Sequence, residues 1–121
     1  MNYDLEDRTA KFGESVLVFL KKVGYGPINT PLISQLTRSA TSIGANYMEA
    51  NQASSKRDFR NKITICKKES NESKHWFRMI SKANPEYRSE CQKFWKEAHE
   101  LVLIFSKISA SCGQNVSKIK N

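Results

Sequence analysis

The strongest constraint on this chain is that its apolar and small residues recur at alternating steps of three and four in four separate stretches. That is the period of a helix face, and no stretch shows the alternation by two that a half-buried strand needs. The first seam is Leu5, Thr9, Phe12, Val16, Phe19 and Val23; the second is Ile33, Leu36, Ala40, Ile43, Tyr47 and Ala50. The third runs Phe59, Ile63, Cys66, Ser70, Ser73, Phe77 and Ile80, and the fourth Cys91, Phe94, Ala98, Leu101, Phe105, Ile108 and Cys112. Turn signals separate them at Gly24-Tyr25-Gly26-Pro27, Ser54-Ser55 and Asn84-Pro85. Helices joined by such short connections bury their seams as sequential antiparallel neighbours. The expected fold class is all-α, an antiparallel up-down-up-down four-helix bundle over residues 1–112, with helices over about 4–23, 31–53, 56–82 and 85–112. Thr30, Ser55 (with Asp58 three residues on) and Asn84 are the expected N-caps of the second, third and fourth helices. Residues 113–121 are expected to form a flexible polar tail.

Charge is distributed unevenly over this frame. The net charge is +8, and residues 54–82 alone hold nine basic and three acidic side chains, whereas residues 1–53 balance to zero. At about 100° per residue, Lys56, Arg57, Arg60, Lys67, Lys68, Lys74, Arg78 and Lys82 fall on one flank of the third helix. Asp58, Ile65, Glu69, Glu72 and Trp76 fall on the other. A basic flank favours an anionic partner, nucleic acid above all. The flank itself carries no aromatic side chain for stacking bases, which points to phosphate contacts without base readout.

The second helix is unusual in the opposite sense. Between Thr30 and Ala53 only Arg38 and Glu49 are charged, where a solvent face should carry more charge. Gln35, Arg38, Ser42, Ala45, Asn46 and Glu49 follow a second heptad-like seam, which suits close contact with another subunit. Gly44 in the same helix suits close packing. If the second and third helices turn at residues 54–55, two residues are level when their numbers sum to about 109. Arg38 is then level with Glu69 and Glu72, and Glu49 with Arg60, so cross-helix ion pairs are expected within one chain or between subunits.

Catalytic constellations are not evident. One ExxH spacing, Glu72 to His75, is a single half of a di-metal pattern, and Lys96 stands where the second glutamate before His99 would be required. No metal and no cofactor is expected, nor a Ser/His/Asp arrangement or a phosphate-binding glycine loop. Cys66, Cys91 and Cys112 are widely spaced and near the seams, so packing accounts for them. The acidic start, Asp4 to Asp7, is unlike a signal peptide, and no uncharged apolar run approaches the ~20 residues of a membrane span. The expectation is a cytoplasmic protein with no membrane partner.

The string Gln35-Leu36-Thr37-Arg38-Ser39-Ala40-Thr41-Ser42-Ile43-Gly44-Ala45-Asn46-Tyr47-Met48-Glu49-Ala50 resembles the bacterial four-helix bundle proteins encoded by intervening sequences in 23S ribosomal RNA genes, also called S23-like. The resemblance continues through Ser55-Lys56-Arg57-Asp58-Phe59 and Lys68-Glu69-Ser70-Asn71-Glu72-Ser73-Lys74-His75-Trp76-Phe77, and includes Arg8, Thr9 and Phe12. It implies a small non-enzymatic cytoplasmic protein. It also implies that Arg38, Ser42, Asn46, Glu49, Glu69, Glu72 and Trp76 belong to an oligomer interface or polar network. The family is similar in fold to accessory proteins of diversity-generating retroelements, which form homopentamers and bind nucleic acid and a reverse transcriptase. By that analogy the partners are further copies of the chain (a pentamer), RNA or DNA, and a reverse transcriptase or ribosomal component. The expected function is that of a homo-oligomeric accessory protein binding RNA or other nucleic acid through its basic face. The alternative is a protein-interaction module with no nucleic-acid role.

Overall fold

The computed structural model describes residues 4–120, with side chains through Cys112. Its first helix, α1 (Leu5–Val23), carries Glu6 and Asp7 in the first turn and Lys21 and Lys22 in the last, in keeping with the helix dipole. Gly24 ends it at φ 79°, in the left-handed region that a glycine adopts without penalty. The second helix, α2, spans Asn29–Asn51 and so starts before Pro31. Thr30 does not cap it: its backbone N–H donates to Gly26 O at 2.9 Å and its Oγ1 accepts from Gly26 N–H at 3.1 Å, which winds the turn early. Pro31 then occupies the first turn, where a missing N–H breaks no helical bond.

Ser55 does cap α3 (Lys56–Ala83), accepting from Asp58 N–H at 3.0 Å. Asn84 instead lies in a corner between elements and is buried. A 3₁₀ turn (Pro85–Tyr87) follows it, and α4 (Arg88–Lys120) only then begins. The Asn84 side chain exchanges hydrogen bonds with Asn29 at 3.0 and 3.1 Å and donates to Ile80 O at 3.0 Å, tying the start of α2 to the α3–α4 corner. A buried amide needs such partners, and this need takes Asn84 away from capping. The backbone of α4 is helical past Gly113, where the polar tail was expected to start; the side chains of that segment lie outside the described residues.

The four helices form an antiparallel four-helix bundle, and its core is the four seams. Phe12, Val16, Phe19, Leu36, Ala40, Ile43, Ile63, Cys66, Phe77, Ile80, Ala98, Leu101 and Phe105 are buried. Between α2 and α3 the core is polar at one level, where Ser39 Oγ and Ser73 Oγ share a hydrogen bond of 2.9 Å. Helices α1 and α2 approach closely, because Gly13 faces the backbone of Ala40 and Thr41, and Gly44 that of Thr9 and Ala10. The α1–α4 side is filled by larger groups, with Phe94 set 6.3 Å from Phe12 and 5.3 Å from Phe19 between ring centroids.

Candidate nucleic-acid interface

The third helix divides as its azimuths require. Its acidic-aromatic flank meets α2, and there Arg38 donates from Nη1 to Glu69 Oε1 at 3.1 Å and from Nη2 to Glu72 Oε2. Trp76 Nε1–H donates to the same Glu72 oxygen at 3.0 Å. The hydrogen bond from Trp76, followed by the Arg38 guanidinium, holds the Glu72 carboxyl below its usual range. These ion pairs lie within one chain. They are not fully buried, since the Arg38 side chain is 48% exposed against 11% for Glu69. The Arg38, Glu69, Glu72 and Trp76 group is therefore one network on the α2–α3 edge.

The expected pairing of Glu49 with Arg60 is not formed. Glu49 instead accepts from Lys62 Nζ at 2.7 Å. Matching heights place Arg60 level with Glu49, but Arg60 projects from the opposite flank of α3, and Lys62 is the side chain turned toward α2. Gln35 is exposed; Ser42 and Asn46 are half-buried and bonded to each other, with Asn46 Nδ2 donating to Ser42 Oγ and Ser42 O at 2.9 Å. Their polarity is thus used locally along α2.

The basic flank lies on the other side, along the α3–α4 groove and outward from it. Lys56, Arg57 and Arg60 line a cleft near the α2–α3 turn together with Phe59, Thr64 and Cys112. Lys67 and Lys74 are half-buried, and Lys68, Arg78 and Lys82 are exposed. Among the described residues none of these eight cations makes an ion pair. Five carboxylates of α3 and α4 pair elsewhere, Glu69 and Glu72 with Arg38, Glu90 with Lys22 at 2.5 Å, and Glu97 and Glu100 with Arg8, while among the described residues Asp58 and Glu86 make no ion pair with the flank. The Arg8 contact is a fork, with Nε and Nη2 at 2.7 and 2.9 Å from the two Glu97 oxygens and Nη2 also 2.9 Å from Glu100. It closes α1 against α4 and is not legible in local sequence pattern, because the two residues are far apart in the chain.

An aromatic side chain does stand beside the flank, contrary to what the third helix alone suggests. It is Trp95 of α4, whose ring centroid lies 4.7 Å from Lys74 Nζ and whose plane stacks on His99 at 5.2 Å and 15°. Lys74 Nζ also donates to His99 Nδ1 at 3.1 Å. The spacing of Trp95 and His99, four apart on one helix, was the available signal, but only packing puts that stripe next to α3.

His75 is exposed while Glu72 is engaged by Arg38 and Trp76, so the ExxH residues do not converge. Among the described residues no three His, Cys, Asp or Glu side chains lie close enough to share a metal ion, and no helix is long and apolar enough to cross a membrane. Burial pushes the Cys66 thiol up to about 12 and that of Cys91 up to about 11, which suits packing and not reactivity.

Residues 29–107, well over half of the chain, match the family described as 23S rRNA-intervening sequence protein. The chain belongs to that family. The span shared with the 23S rRNA-intervening sequence proteins holds the α2–α3 network and the whole basic flank; Arg8, Thr9 and Phe12 lie outside it. A solved structure described as a protein of unknown function from the S23 ribosomal protein family of Bacteroides thetaiotaomicron VPI-5482 is 29% identical. The likeness covers 86% of this chain and 96% of that one, with a TM-score of 0.75. No curated protein matches the chain. The family and the fold therefore agree with the resemblance carried by the α2 string.

Proposed function

We propose that this 23S rRNA-intervening sequence protein is a non-enzymatic, homo-oligomeric accessory protein of the cytoplasm that binds RNA or other nucleic acid through the basic flank of α3. The observation that supports this reading is the set of eight flank cations, none of them ion-paired among the described residues, while Glu69, Glu72, Glu90, Glu97 and Glu100 pair with cations of α1 and α2. Unneutralised cations on one side of a rigid helix can take the place of the counterions condensed on a phosphate backbone, which are released on binding. Reversing Lys67, Lys74 and Arg78 to glutamate is expected to weaken RNA binding and flatten the dependence of log K on log salt by about 2. Reversing Lys107, Lys118 and Lys120, an equal change in net charge further along α4, is expected to do much less. Equal losses from the two triple variants, measured by fluorescence anisotropy across a salt series, would show that net charge alone acts.

A second reading, a protein-interaction module, has one observation in its favour. The outer face of α2 exposes Gln35, Ala45 and Met48 with few charges among them. In that reading the partner, such as a reverse transcriptase or ribosomal component, sits on α2 and the flank only aids solubility.

A further inference from the structure

The α3–α4 groove offers more than charge. Trp95 keeps 38% of its surface exposed within a stretch of cations, although so large an apolar ring is ordinarily covered. It shares a cleft with Arg78, Ser81 and Gln92. His99, one turn further along α4, braces the indole in a near-parallel stack. The ammonium of Lys74 sits at the ring with no carboxylate partner among the described residues; it lies 3.1 Å from His99 Nδ1 and 3.4 Å from Asn71 Oδ1. It can exchange these for a phosphate without breaking an ion pair.

We infer that Trp95, braced by His99, is a stacking platform for a base of single-stranded nucleic acid, with Lys74 and Arg78 taking the phosphates on either side. This rests on the nucleic-acid reading above and adds to it a ligand form. A ligand bound through phosphates alone has no use for an exposed indole, and a duplex hides the faces of its bases. A single strand presents both a polyanionic backbone and free π-faces, which is the combination set along this groove. Every base has such a face, so the platform raises affinity without selecting sequence.

The test uses the full chain and three probes: a labelled oligouridylate, a duplex RNA of equal length, and inorganic polyphosphate. Trp95→Ala is expected to weaken oligouridylate binding about tenfold, with little change for the duplex or for polyphosphate, and Trp95→Phe to restore most of the loss. Quenching of tryptophan fluorescence by oligouridylate should persist in Trp76→Phe and disappear in Trp95→Phe, a reading that does not depend on the alanine variant folding. Unchanged oligouridylate affinity in Trp95→Ala, or an equal loss for polyphosphate, overturns the platform and leaves the phosphate-binding flank standing. A wild-type protein that binds none of the three probes overturns both.

Discussion

Arg38 shows how a side chain at a helix edge acts on two carboxylates of different burial. Its own exposure keeps the Coulombic gain small, but Glu69 is nearly covered and would lose its charged donor. Arg38→Ala is therefore expected to cost about 1 kcal/mol in chemical denaturation. A loss near 3 kcal/mol would be that of a fully buried pair, which the geometry argues against. The effect of pH at the same cluster follows from Glu72, whose folded-state pKa is lowered from 4.5 by Trp76 and Arg38. A depressed carboxylate contributes stability that is complete above the unfolded value and is lost as pH falls through the folded one. The stability difference between the wild type and Glu72→Gln should thus be largest near neutral pH and shrink steadily below 4.5, which denaturation at a series of pH values would measure. A difference that stays constant into the acid range would mean the Glu72 charge is not what the cluster uses.

At the scale of elements, the two close-packing glycines differ in what an added methyl would meet. A Cβ on Gly13 would lie 3.5 Å from Ala40 O and 3.6 Å from Thr41 Cα, an ordinary contact. On Gly44 it would lie 3.4 Å from both C and O of Thr9, at the tight edge of that range. Alanine in mid-helix gains up to about 1 kcal/mol over glycine. Gly13→Ala should accordingly raise the thermal midpoint, whereas Gly44→Ala should leave it near the wild-type value, because a strained contact with α1 offsets the gain. A marked destabilisation by Gly13→Ala would show α1 and α2 packed more tightly than these distances allow. Element ends were the least legible part of the sequence. Thr30 and Asn84 carry cap-like signatures, yet Thr30 is taken up by the local turn at Gly26 and Asn84 by the distant Asn29. Ser55, with no competing tertiary partner, caps as its sequence indicates.

At the scale of the whole molecule, the outer surface of α2 is the feature that a lone bundle leaves unexplained. Sedimentation at micromolar concentration is expected to give a mass several times 13.9 kDa, five subunits by the retroelement analogy. Ala45→Arg, which sets a charge on that surface, should shift the assembly toward single chains without unfolding them. A wild-type monomer would leave α2 as plain solvent surface. The sequence by itself determined the helical class, the number of helices, their order and the core, because burial of a seam follows directly from periodicity. It also set Arg38 at the height of Glu69 and Glu72, since a hairpin of known turn sets heights along neighbouring helices, and left open whether they pair within one chain or between subunits. Only the tertiary structure decided which flanks meet and which side chains pair across them: Lys62 in place of Arg60 for Glu49, the Arg8 fork on Glu97, and Trp95 beside Lys74. The physical reason is that periodicity fixes which face of a helix is buried, whereas which two flanks meet across a groove depends on helix rotation and on packing between residues far apart in the chain.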